Sequence, residues 1–126
     1  MSTPATLTAA TRAIDAVVAM LEDAGITAQR DAGAFYPQPV GILVGLPTLT
    51  GRTLAARTFT LPVLVVSGDP FNSPVAVDRV YALADEAAYV LATAEYRPSS
   101  WRSSVNAEPL PAVELSVTVT VTEMEA

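Results

Sequence analysis

From Val113 to Thr122 the chain alternates without a break, with Val113, Leu115, Val117, Val119 and Val121 on one side and Glu114, Ser116, Thr118, Thr120 and Thr122 on the other. A period of two predicts a strand with one wet face and one buried face, and β-branched valine and threonine favour that conformation. At about 3.3 Å per residue such a strand runs about 33 Å, whereas a chain of this length has a radius of gyration of about 14 Å. The strand therefore crosses the whole fold, and Leu115, Val117 and Val119 are expected to face whatever covers it.

Two helical patterns supply the cover. In the first, Leu7, Ala10, Ile14, Val17, Val18 and Leu21 recur at spacings of three and four, with Thr3 and Pro4 as cap and first residue and Gly25 as stop. A second row, Ala9, Ala13, Ala16 and Met20, widens the apolar arc and leaves a narrow polar edge containing Arg12 and Asp15. The second helix starts behind Ser73-Pro74, with Val77, Val80, Tyr81, Ala84, Ala87, Ala88 and Leu91 as its core stripe and Leu83 and Val90 on a flank.

Between and after the helices the pattern predicts a short strand over Ile26 to Arg30, a second over Val40 to Leu46, and a third over Thr58 to Ser67 with Phe59, Leu61, Val63 and Val65 on one face. Pro47 and Gly51 bracket a turn that makes the latter two a hairpin. Pro62 cannot donate to a ladder, which puts the third strand at an edge or at a bulge there. A short or irregular strand falls between Tyr96 and Ala107. The expected fold class is α+β: a mixed or antiparallel sheet of about five strands with two helices packed on it, in the order α-β-β-β-α-β-β, as a single domain over residues 1–126.

Composition narrows the chemistry. The chain has no histidine, cysteine or lysine, so it lacks imidazole and thiolate metal ligands, a Ser-His pair, a Schiff-base nucleophile and a P-loop lysine. No catalytic residue, metal ligand or cofactor is assigned. A net charge of −6 opposes nonspecific attraction to phosphate backbones and anionic membranes. No apolar stretch approaches the roughly 18 residues of a spanning helix, and Met1 to Ala10 lacks the basic flank and apolar core of a secretory signal. A soluble protein with no membrane partner is expected.

The remaining candidates read as structure. Gly68-Asp69-Pro70 is a strand-to-helix connector, since no base or phosphate-cradling glycine series accompanies Asp69. Asp85 and Glu86 diverge by about 100° on a helix, and Asp78 with Asp85 makes a poor metal site without histidine. Trp101 beside Arg102 is an aromatic at a core margin. The wide arc of the first helix, the Leu83 and Val90 flank and a charged fraction of only 16% favour packing against another protein. Arg52 and Arg57, near the hairpin turn, are candidates for bridging a neighbour's carboxylates.

The helix ending at Ala24-Gly25-Ile26, the hairpin from Val40 through Val66, the helix behind Ser73-Pro74 and the final alternating strand together resemble the tail terminator, or tail completion, proteins of long-tailed bacteriophages. Richness in alanine, threonine and arginine without lysine is similar to phages of GC-rich hosts. The resemblance implies a structural virion protein, assembled in the host cytoplasm into a homomeric ring, usually a hexamer, at the head-proximal end of the tail. Its partners would be the tail tube protein and the head-side connector. DNA would pass through an acidic lumen without sequence-specific binding. A head-tail connector of the same phage class is the near alternative, and a small soluble enzyme or ligand-binding α+β domain is the distant one.

Overall fold

The computed structural model describes residues 8–31, 35, 37, 39–69, 73–102 and 109–122. Their elements are α1 (Ala9–Asp23), β1 (Val40–Val44), β2 (Thr48–Arg52), β3 (Ala56–Ser67), α2 (Pro74–Leu91), β4 (Tyr96–Trp101) and β5 (Leu110–Thr122). The expected fold class and order are both present: two helices lie on a five-stranded sheet. β3 pairs antiparallel with β5 along eleven residues, from Ala56↔Thr122 to Val66↔Ala112, and β4 closes the far side of β5. These two long central strands form the spine that carries everything else.

The first three strands are not the three that hydrophobic pattern suggests. Ile26 to Arg30 contributes only one parallel bridge, with the Gln29 N–H donating to the Ile42 carbonyl at 2.9 Å and the Gln29 carbonyl accepting from Val44 at 2.8 Å. Ile26 and Ala28, just before it, turn into the core. The missing strand is β2, in the stretch assigned to a turn. It pairs with the first part of β3, Thr48 opposite Thr60 and Arg52 opposite Arg57, while β1 pairs with the last part, Val40 opposite Ser67. The predicted hairpin partner of β3 is therefore one edge broken into two pieces.

The break explains Pro62. β3 runs unbulged along β5 but is locally an edge on its other side, as the sequence allowed, because the gap between β1 and β2 falls where the proline has no N–H to give. Its carbonyl still accepts from Gly45 at 2.8 Å, and its ring fills the space beside Gly45, where a Cβ would meet the ring Cγ at 2.7 Å. We expect Gly45→Ala to destabilise the protein by about 1–3 kcal/mol and to cost much less in a Pro62→Ala background. A double-mutant cycle by urea denaturation reads this coupling; additive costs would show that the ring is not what the added methyl meets.

The helix-covered face of the sheet holds the main core, with Phe59, Leu61, Val63 and Val65 of β3 and Val113, Leu115, Val117 and Val121 of β5 beneath both helices. The register expected for the last strand is correct, with Val119 half-buried in the same cluster. On α1 the deepest positions are Ala9, Ala13, Val17, Val18 and Leu21, whereas Ala10 and Ile14 are only half-buried. Of the second row only Ala9 and Ala13 are buried, where alanine allows close approach; Ala16 is half-buried and Met20 exposed. The helix is capped by Thr8, whose Oγ accepts from the Thr11 N–H at 3.2 Å, so it starts after the expected Thr3-Pro4. Those two residues and Leu7 lie outside the described residues, as do Pro70 to Asn72 and the stretch from 103 to 108.

A second, smaller cluster lies on the opposite face: Phe35, Leu43, Val66, Leu110 and Ala112, with Trp101 against it. Phe35 meets Trp101 edge to face with ring centroids 5.0 Å apart. Trp101 is thus the core-margin aromatic its sequence context indicated. The rest of that face carries cross-strand threonine pairs, Thr58 with Thr120 at 3.1 Å and Thr60 with Thr118 at 3.4 Å.

Candidate functional site

α2 starts where expected. Ser73 caps it by accepting from the Ala76 N–H at 3.2 Å, and Pro74 occupies the first turn. Its buried stripe is Ala76, Val80, Ala84, Ala87, Ala88 and Leu91. Val77 and Tyr81, expected in the core, are instead 40% and 41% exposed. Both lie on the side of the helix that faces β4, an edge strand too short to cover them. Leu83 and Val90 pack half-buried against the main core and keep part of their surface exposed.

The uncovered side of α2 forms one wall of a cleft of about 200 Å³, lined by Val77, Val80 and Tyr81 with Pro98 of β4 and Pro111 and Val113 of β5. Ser67 closes its base and is the one buried polar residue among those described. That hydroxyl is satisfied, donating to the Asp69 carbonyl at 3.2 Å and accepting from the Asp69 N–H at 3.1 Å. The adjoining Gly68 approaches the preceding loop too closely for any side chain, its N–H donating to the Pro39 carbonyl at 2.7 Å and a Cβ there lying 2.4 Å from the Pro37 carbonyl oxygen. Asp69 therefore belongs to a tight strand-to-helix connector.

Acidic residues stand beside the cleft. Asp85 accepts from the Tyr96 hydroxyl at 2.7 Å, and the Tyr96 ring stacks on Tyr81 with centroids 6.4 Å apart. The hydrogen bond to Asp85 raises the Tyr96 pKa above its ordinary 10.0, with burial and the aspartate's charge acting in the same direction. A raised folded-state value means that the bond's contribution is present below the unfolded tyrosine pKa and is lost as pH rises through the folded one. Asp85→Asn is expected to let Tyr96 ionise at lower pH, read as earlier growth of tyrosinate absorbance; an unchanged titration would show that the pair does not persist in solution. Among the described residues, no three His, Cys, Asp or Glu side chains gather where they could hold a metal ion, and no helix is long and apolar enough to cross a membrane.

At the other end of β3 the surface is different. The three-residue loop joining β2 to β3 is closed by Thr53, whose N–H donates to the Ala56 carbonyl at 2.8 Å and whose hydroxyl accepts from the Ala55 and Ala56 N–H groups. This leaves Leu54 100% exposed, with Leu46 at 83% and Leu49 at 49% along the same edge. Arg52 and Arg57 face each other across the strand pair here; Arg52 is exposed and Arg57 half-buried. Arg12 joins them, its Nη1 donating to the Thr122 carbonyl at 2.9 Å, at the residue paired with Ala56. The structure thus brings the two sequence-predicted arginines together and adds an exposed leucine edge. Sequence alone held the signal for that edge in its leucines, but reading the stretch from Pro47 to Gly51 as a turn hid the strand that lines them up. The chain matches no protein-family model and no curated protein sequence.

Proposed function

We propose that this chain is a structural subunit of the tail-terminator kind, forming a ring that caps a phage tail tube, stops its growth and presents a docking face to the head connector. The observation that carries the assembly part of this reading is the leucine edge, Leu46, Leu49 and Leu54, left in water along β2 and the loops on either side of it, with Arg52 at the end of that strand. Exposed leucines scattered singly are ordinary, but three along one edge with a guanidinium at its end mark a contact surface. The phage part rests on the resemblance in helix and strand order. The acidic balance supports it, because a negative lumen repels the DNA that must slide through.

A three-dimensional map of the particle whose genome encodes this chain tests the assignment. Density for a ring of this fold at the head-proximal tail end is expected, and a map lacking it there would refute the terminator role. A ring on the capsid side of that position would instead identify a connector. Arg52 is the cleaner of the two arginines to reverse, because Arg57 is half-buried. Arg52→Glu together with Leu54→Asp should leave the fold unchanged and yield tubes of uncontrolled length; normal tail lengths would remove this edge from the interface.

A further inference from the structure

Resting on the ring reading above, we propose that neighbouring copies join head to tail, with Leu54 at the β2–β3 tip of one copy seated in the cleft between α2, β4 and β5 of the next. The two surfaces belong to opposite ends of one strand. β3 begins at Ala56, two residues after Leu54, and ends at Ser67, which forms the base of the cleft. Its 12 residues separate them by roughly 40 Å at about 3.4 Å per residue. A protomer therefore cannot fill its own cleft, and a contact between unlike ends repeats from copy to copy, closing into a ring where the rotation between copies divides the circle.

Chemistry and charge select this pairing over a symmetric one. Leu54 is an entirely exposed apolar side chain at the apex of a tight loop, and the cleft offers it Val77, Tyr81, Pro98 and Pro111. The tip carries the exposed Arg52, with the half-buried Arg12 and Arg57 behind it and Arg12 bonded to the Thr122 carbonyl. Beside the cleft, α2 carries the exposed Asp78 and, two turns further along, Asp85, while Arg79 lines an adjoining depression with Asp69 and Gly68. Tip against tip would set guanidinium against guanidinium. Tip against cleft brings Arg52 to a carboxylate that can take it through two hydrogen bonds.

The chain contains no cysteine, so an engineered disulfide reads the contact without background. In the full chain carrying Leu54→Cys and Val77→Cys, mild oxidation of the concentrated protein, and of particles assembled with it, should give a reducible ladder of linked oligomers. Each single-cysteine variant should stop at dimers, and Tyr89→Cys with Val77→Cys, which uses a residue 89% exposed on α2 that does not line the cleft, should give no ladder. Adding Arg52→Glu should slow linking about tenfold at low salt, and adding Asp78→Arg to that variant should restore it. Linking no faster than the Tyr89 control in both preparations, or failure of the charge exchange to restore it, would overturn the contact. A ring seen at the tail end without this linkage overturns the contact alone. A ladder from a chain absent from the tail keeps the contact and overturns the terminator role.

Discussion

Val117→Asp is expected to unfold the protein, while Thr118→Asp, one residue along the same strand, is expected to cost about 1 kcal/mol or less. Val117 lies opposite Leu61 in the middle of the β3–β5 ladder and is buried beneath the helices. A carboxylate there meets only apolar side chains, and burying it without a partner costs several kcal/mol, comparable to the roughly 5–15 kcal/mol that hold a domain together. Thr118 points to the other face, where it is exposed and loses only a 3.4 Å hydroxyl contact with Thr60. Far-ultraviolet circular dichroism and denaturant midpoints separate the two. Equal tolerance would mean that β5 does not sit in the core in this register.

The second large effect concerns leucines that look alike in sequence. Leu61→Ala should destabilise the protein by about 2–5 kcal/mol, because Leu61 is completely buried on the central strand and the void left by its side chain is walled by paired strands and two helices that collapse poorly. Leu54→Ala should leave the denaturation midpoint unchanged, since Leu54 touches nothing within the protomer that its exposure would lose. A shift of comparable size in both would show that the β2–β3 tip folds back onto the domain in solution. The contrast also separates stability from assembly: the first leucine holds the fold, and the second is free to act between copies.

The strongest local patterns were legible. Strict alternation over Val113 to Thr122 became β5 with the expected face inward, and Ser73-Pro74 became the cap and first turn of α2. Each rests on physics contained within a few adjacent residues, namely side-chain period and backbone capping. Reading was weaker where a residue's role depends on a partner distant in sequence. Thr48 to Arg52 reads as turn because Pro47 and Gly51 flank it, yet it is a strand because β3 extends past β1 and leaves hydrogen-bonding groups that β2 satisfies. Val77 and Tyr81 fit the helical stripe, but β4 does not cover them.

By itself the sequence determined the fold class, the element order, the inward face of the last strand and the absence of histidine, cysteine and lysine chemistry. Periodicity and composition are properties of neighbouring residues and need no tertiary context. Only the tertiary structure decided which strands meet, that Pro62 falls at a gap in the edge beside β3, and that Leu54 with Arg52 lies at one end of β3 while an apolar cleft with acidic neighbours lies at the other. Those outcomes follow from pairing a long central strand with a broken edge, where a donor missing from one strand is matched by a gap in its partner many residues away.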